Sequence, residues 1–304
     1  MIYRSTLDKP LDPIINFSSR VFGKNSYQSS NQYLNWALSK NYLEISTTED
    51  ASNEVVSMIQ QLTITINQND LRSFFNYITD GTHGGMGVRH LASIRKEKNF
   101  FIPAVSNMEL GNVYKKLGAT ELRYKWFKRY LLPFPNIPLL YKFNRNESIT
   151  TFDKSSGVRI TNDISNEKVI KISKLSGITD KNFIRWRLMS KRNNRIFILE
   201  SEIHEAIAIV ALGKRYNIPV LRVIDSTGPS QIVKSLVDKA CLLGRDLGAV
   251  ICLATIHESQ ASDFLIDKKY KHREGIKTFE KGDITINSLF MLCGDLGFEE
   301  QFGG

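Results

Sequence analysis

The residues of this chain best suited to do chemistry are a glycine cluster, Gly84-Gly85-Met86-Gly87, set between an apolar stretch ending near Ile78 and a helical pattern beginning near Val88. Glycines there let backbone amides approach phosphate oxygens closely, and the first turn of the following helix adds partial positive charge. The chemistry favoured is the binding of a pyrophosphate, although a plain glycine-rich turn has the same composition. No Gly-Lys-Ser/Thr follows, so the loop is not a P-loop. No acidic residue ends a suitable second strand about 20 residues on, which argues against a dinucleotide fingerprint. His83 sits inside the loop, either against phosphate or solvated. The other histidines, His90, His204, His257 and His272, show no metal-ligand spacing, so no metal site is expected. His204, between Glu202 and Glu205, reads as an acid/base group or as a solvated hairpin residue. Cys241, Cys252 and Cys293 are odd in number and include no Cys-x-x-Cys pair. This argues against a disulfide framework or zinc site and for a reducing, cytoplasmic setting. No Cys or Ser stands in a nucleophile context, so no covalent enzyme intermediate is implied.

The 304 residues are 42% hydrophobic and 10% aromatic, enough for real cores and too apolar for a disordered chain. A formal charge of +10 favours phosphorylated or otherwise polyanionic partners, or marks a generally basic surface. No apolar stretch follows Met1, so no signal peptide is expected. The apolar run Ala206 to Leu212 is far short of the roughly 20 residues of a membrane helix and reads as a buried strand.

The elements that must position the glycine loop recur. Tyr33-Leu34-Asn35-Trp36-Ala37-Leu38 and Phe183-Ile184-Arg185-Trp186-Arg187-Leu188 align Trp on Trp at an offset of 150 residues (186 − 36). After the loop, Phe100 to Val105 reads as a strand. A helix opened by Asn107 runs to a stop at Gly118, and Thr120 to Tyr130 reads as one alternating strand. The second half repeats the order: strands at 195–199, 206–212 and 220–224, a turn Asp225-Ser226-Thr227-Gly228-Pro229, and an amphipathic helix through Val233, Leu236, Val237 and Ala240. A strand at 249–254, a helix near 259–267 and a strand near 274–279 follow. Three prolines between Pro133 and Asp153 mark a boundary. The expected architecture is two tandem mixed α/β units, 1–140 and 150–304.

Gly85-Met86-Gly87 resembles the Gly-x-Gly loop with which GNAT acyltransferases bind the coenzyme A pyrophosphate, although Thr82 stands where a basic or amide residue usually opens that motif. Asn107 and Tyr114, seven residues apart (114 − 107), and Leu117-Gly118 match the Asn, Tyr and Leu-Gly turn that follow in that family, with Ala119 replacing the aromatic. The resemblance implies that acyl-CoA lies against Ile78, Thr79, His83, Gly84, Gly85, Met86, Gly87, Val88, Asn107 and Tyr114. It also implies that Tyr114 protonates the departing thiolate. As a bare residue, Tyr114 equally reads as packing. The second half shows Pro229 after a single glycine, and Ser259 and Ile266 stand where Asn107 and Tyr114 would fall. It therefore reads as a degenerate copy that shapes an acceptor site. Asp225, at the end of its central strand, is the candidate to bind or deprotonate the acceptor amine, or else caps a turn.

Two tandem groups of this size are similar: N-acyltransferases of nucleotide-linked amino sugars for surface polysaccharides such as O-antigen, and Fem-type transferases that use aminoacyl-tRNA. The glycine loop and the absence of a sustained heptad pattern favour the first. A non-catalytic GNAT pair is the third reading, against which Asn107 and Tyr114 argue. Small-molecule substrates, no nucleic acid, no membrane insertion and a monomer or homodimer are expected.

Overall fold

The computed structural model describes residues 2–5, 10–24, 26–40, 42–82, 91–92, 94–105, 108–122, 124–131, 150–153, 157–188, 196–215, 218–273 and 277–282. Two mixed sheets carry the architecture. The first contains β1 (Ile2–Ser5), β2 (Leu43–Glu49), β3 (Val55–Ile66), β4 (Asn69–Thr79), β5 (Phe100–Val105), β15 (Lys277–Lys281) and β6 (Thr120–Leu122), in that spatial order. The second runs β14 (Lys271–Arg273), β7 (Tyr124–Tyr130), β13 (Ile251–His257), β12 (Ile218–Thr227), β11 (Ile207–Arg215), β10 (Ile196–Ser201), β9 (Val158–Thr161) and β8 (Thr150–Asp153). Seven helices are described: α1 (Asp12–Phe22), α2 (Asn31–Leu38), α3 (Met108–Lys116), α4 (Asn166–Ser176), α5 (Lys181–Leu188), α6 (Ser230–Asp246) and α7 (Glu258–Ile266).

The sheets trade a strand. β7, from the first half of the chain, pairs antiparallel with β13 over Tyr124–Tyr130, and β15, from the second half, inserts between β5 and β6. The stretch 120–130 is therefore two strands in two sheets. The alternation of residue types runs on across the break, so pattern alone does not reveal where the chain changes sheet.

The repeated tryptophan motif lies on α2 and α5, and its two copies meet. Trp36 and Trp186 stack with ring centroids 4.6 Å apart and planes 3° from parallel, and the Trp186 indole N–H donates to the Trp36 carbonyl at 3.2 Å. Tyr42 packs edge-on against Phe183 at 5.2 Å and donates its hydroxyl to Asp180 Oδ2 at 2.9 Å. Burial and this bond hold its pKa well above the usual tyrosine value. The β3–β4 turn, with Asn67 and Gln68 both at positive φ, docks on the α4–α5 connection. There Asn67 N donates to the Gly177 carbonyl at 3.3 Å, and Ile66 bridges to Ile178. Around these contacts one apolar core takes residues from both halves, among them Phe17, Leu34, Ile64, Phe101, Ile184, Ile198 and Ile209. A second core lies under α6 and α7 (Val223, Leu236, Ala254, Phe264), and a third under α3 (Phe74, Ile102, Tyr114, Phe279).

Because the indoles lie between the halves, truncating one loosens both. Trp186→Ala is expected to cost about 3–5 kcal/mol in urea unfolding. The double-mutant cycle with Trp36→Ala should show a coupling of about 0.5–1.5 kcal/mol. Additive losses would mean that the stack contributes only through its buried area.

Candidate active site

The opening of the first sheet is set by β4 and β5. They pair in parallel only at Arg72–Phe100 and Ser73–Phe101, and no further pairing joins them among the described residues. β4 also bulges: Gln60 faces Phe75 and Met58 faces Ile78, so Asn76 and Tyr77 oppose Ile59 alone. A bulge turns backbone N–H groups out of the ladder. Such groups, beside parting strands, can meet a carbonyl oxygen entering from outside the sheet.

Tyr114 stands at this opening, on α3. It is 2% exposed, and its ring lies 5.9 Å from Phe279 of the exchanged strand β15. Burial first, and then the neighbouring Tyr77, push its pKa well above the usual tyrosine value. Tyr77, itself half-buried on the bulge, is raised by burial too. Tyr114 therefore holds its proton throughout the physiological range. Of the other donor-site residues expected from the sequence, Ile78 and Thr79 close β4. His83, Gly84, Gly85, Met86, Gly87, Val88 and Asn107 lie outside the described residues.

The second half repeats the opening with different contents. β12 and β13 pair in parallel from Val220–Ile251 to Val223–Ala254 and then part, and β12 bulges at Ile224. Asp225 is the first residue to pair again after that bulge, as Ile78 is after the bulge in β4. It lies opposite Ile209, a residue of the core shared by the halves, so its side chain is on the sheet face toward the first half. Asp225 is 9% exposed and its Oδ1 accepts the Ser226 N–H at 2.9 Å.

The turn after β12 is closed by its own proline and by side chains of α7. Gly228 has φ +129°, and a Cβ there would come within 2.9 Å of the Ala206 Cα. Pro229, which has no N–H, caps α6. Gln260 Nε2 donates to the Gly228 carbonyl at 2.7 Å, and Ser230 Oγ donates to Asp263 Oδ2 at 2.6 Å. A carboxylate at the head of α6 repels a phosphate placed there.

The structure corrects one correspondence. In the first sheet Phe279 pairs with Ile102 and supports Tyr114. In the second sheet Phe127 pairs with Ala254 and supports Phe264, 5.4 Å away. From Ile102 to Tyr114 is 12 residues (114 − 102) and from Ala254 to Phe264 is 10 (264 − 254), because α7 follows β13 directly. Phe264, not the 79% exposed Ile266, thus corresponds to Tyr114, and His257, not Ser259, directly precedes the helix of the second sheet. Spacing alone missed this because the connection is two residues shorter. Phe264 has no hydroxyl, so the second half still lacks a proton donor at this place. Among the described residues, no group of three His, Cys, Asp or Glu is placed to hold a metal, and no helix is long and apolar enough to cross a membrane.

Neither a protein-family model nor a curated protein matches the chain. Solved structures do. A putative acetyltransferase from Pyrococcus horikoshii is similar at 15% identity over 99% of this chain and 95% of its own, with a TM-score of 0.58. A tandem GNAT protein from the clavulanic acid biosynthesis pathway is similar at 8% identity over 94% of this chain and 100% of its own, TM-score 0.52. The GCN5-related glucosamine N-acetyltransferase region of a fungal multi-domain β-N-acetylglucosaminidase is similar at 11% identity and TM-score 0.60, over 92% of this chain. This chain spans 38% of the length of that protein. The fold is therefore that of the GNAT acyltransferases, present as two GNAT-like units.

The raised pKa of Tyr114 has a consequence for stability. Below pH ~10 the proton is bound in both folded and unfolded chains and contributes no pH dependence. Above it the unfolded chain releases the proton first, so stability falls by up to about 1.4 kcal/mol per pH unit until the folded pKa is reached. Tyr114→Phe should remove that part of the alkaline loss, measured by urea unfolding between pH 9 and 11 or so. Parallel curves for the two proteins would place Tyr114 in contact with water.

Proposed function

We propose that the chain is an acyl-CoA-dependent N-acyltransferase. In this reading the first half, 1–140, holds the donor thioester, and the second, 150–304, shapes the site for an amine carried by a nucleotide-linked amino sugar. The observation that carries it is the buried Tyr114 set beside parted and bulged strands in a sheet of GNAT topology. The asymmetry of the halves supports the division of labour. Asp263 and Pro229 stand at the helix of the second turn, whereas the first carries Gly84, Gly85 and Gly87.

The reaction is direct. The acceptor amine attacks the thioester carbonyl, and N–H groups of β4 near Asn76 to Thr79 receive the developing oxyanion. The tetrahedral intermediate collapses with cleavage of the carbon–sulfur bond, and Tyr114 passes its proton to the departing thiolate. Asp225 orients the incoming ammonium or takes its proton. Its position on the face toward the first half supports that role. The +10 charge suits the phosphates of both substrates. This reading involves no metal, nucleic acid or membrane insertion, and suits a cytoplasmic monomer or homodimer.

Calorimetry with coenzyme A tests the donor half. Gly85→Leu or Gly87→Leu should weaken binding about tenfold or more, or 1.4 kcal/mol. Unchanged affinity would remove the loop from the site. Tyr114→Phe should lower turnover roughly 100-fold with coenzyme A affinity retained. Asp225→Asn should raise the acceptor KM or lower turnover while leaving coenzyme A binding normal. The reverse pattern would exchange the roles of the halves.

A further inference from the structure

The opening of the second sheet carries two buried hydrogen-bonding groups that no described residue meets. Trp126 of β7 and Thr255 of β13 are direct partners across the antiparallel ladder, 6% and 3% exposed. Among the described residues, neither the Trp126 indole Nε1–H nor the Thr255 Oγ1 has a hydrogen-bond partner. A buried polar group left unmet costs free energy, and most such groups in native proteins are met. Two of them side by side therefore call for something that binds between them.

The corresponding place in the first sheet is satisfied. Phe127 on Ala254 matches Phe279 on Ile102, so the residue before each phenylalanine and the residue after its partner also match. Trp126 then corresponds to Thr278, and Thr255 to Pro103. In the first sheet the buried Thr278 Oγ1 donates to the Pro103 carbonyl at 2.8 Å and closes the pair. In the second sheet a larger donor and a hydroxyl replace that closed pair. Trp126 belongs to the core shared by the halves, and Thr255, directly opposite it, is on the same face. Asp225 lies on this face too, across from Ile209 of the same core, and so does Arg222, across from Ala211. Thr255 is the first residue of β13 beyond the last parallel pair, Val223–Ala254. It and Asp225 therefore border the gap where β12 and β13 part. The donor chemistry above uses neither Trp126 nor Thr255.

An indole N–H only donates, so the atom that meets it must carry a lone pair, whereas a hydroxyl can donate or accept. A carboxylate at Asp225 only accepts. An acyl chain would satisfy none of the three. Adjacent strands lie about 4.8 Å apart, a span that suits an amine and an oxygen on neighbouring carbons, with a hydrogen bond at each end. We propose that Trp126 and Thr255 bind an oxygen carried on the carbon next to the one that bears the acceptor amine, while Asp225 takes the ammonium. The acceptor class is then a vicinal amine–oxygen compound, its oxygen a hydroxyl or a carboxylate. Trp126 and Thr255 are specificity residues and move no proton. The assignment rests on the acyltransferase reading above and states which amines that site selects.

Isopropylamine, alaninol and alanine are the probes, because they share one amine and differ only in a methyl, a hydroxymethyl or a carboxylate on the next carbon. Titrations followed by saturation-transfer NMR should show alaninol or alanine bound about tenfold or more tightly than isopropylamine. A preference for alaninol makes the oxygen a hydroxyl, and a preference for alanine makes it a carboxylate. Thr255→Val and Trp126→Phe should each remove most of that preference. Thr255→Val also replaces an unmet hydroxyl by an apolar group of the same shape, so its thermal midpoint should hold or rise. A fall in the midpoint would show the hydroxyl already satisfied in the free protein and overturn the proposal. So would equal binding of the three amines, binding of none, or a preference that survives both substitutions. Coenzyme A calorimetry on the same samples separates this proposal from the reading beneath it. Coenzyme A binding without an oxygen preference refutes the subsite and leaves the acyltransferase standing. An oxygen preference lost in the two variants sustains the subsite even where coenzyme A fails to bind.

Discussion

The stacked pair Trp36–Trp186 is the contact on which the arrangement of the two halves depends. The two rings come from equivalent helices, α2 and α5, and each covers a surface that its own half leaves bare. The apolar core around them is continuous from α1 to β11, so neither sheet has a complete core on that face without the other. The exchange of β7 and β15 reinforces this. Each sheet's opening is bordered by a neighbouring strand that the other half supplies, and the phenylalanines supporting Tyr114 and Phe264 both lie on those exchanged strands.

The exchanged strand β7 is fastened to the second half by a polar cluster as well as by its ladder. Arg129 donates to Asp238 Oδ1 at 2.5 Å and to the Tyr270 hydroxyl at 3.2 Å, and Tyr270 donates in turn to Asp238 at 2.9 Å. Lys234 adds bonds to Asp238 at 2.7 Å and Asp267 at 2.8 Å. Such a cluster costs desolvation free energy and returns geometry. Its physical effect is to fix α6 against β7 and against the residues that follow α7.

Two similar openings carry different chemistry. In the first, the helix after β5 presents a tyrosine hydroxyl. In the second, the same place holds Phe264, the preceding turn is closed by Gln260 and Asp263, and a bulge brings Asp225 to the face toward the first half. Duplication of a backbone with divergence of a few side chains is how one fold supplies two unlike subsites.

Much of this was determined by the sequence. The 150-residue repeat, the strand at 100–105, the helix stopping at Gly118 and the long helix after Pro229 follow from period, caps and turn residues, which are local. Tyr114 stands out by type and spacing; the sequence puts Asp225 at a strand end, but β12 runs on to Thr227 and Asp225 lies within its ladder. Tertiary structure decided the rest. Alternation in Thr120 to Tyr130 shows that one face is buried but not in which sheet, because either partner satisfies the same pattern. The match of Ile266 to Tyr114 failed by two residues, since a shortened connection is invisible until Phe127 is seen beneath Phe264. The stacking of Trp36 on Trp186 exists only once residues 150 positions apart are brought together. No local rule carries that information, because the free energy that decides it is the burial of one half against the other.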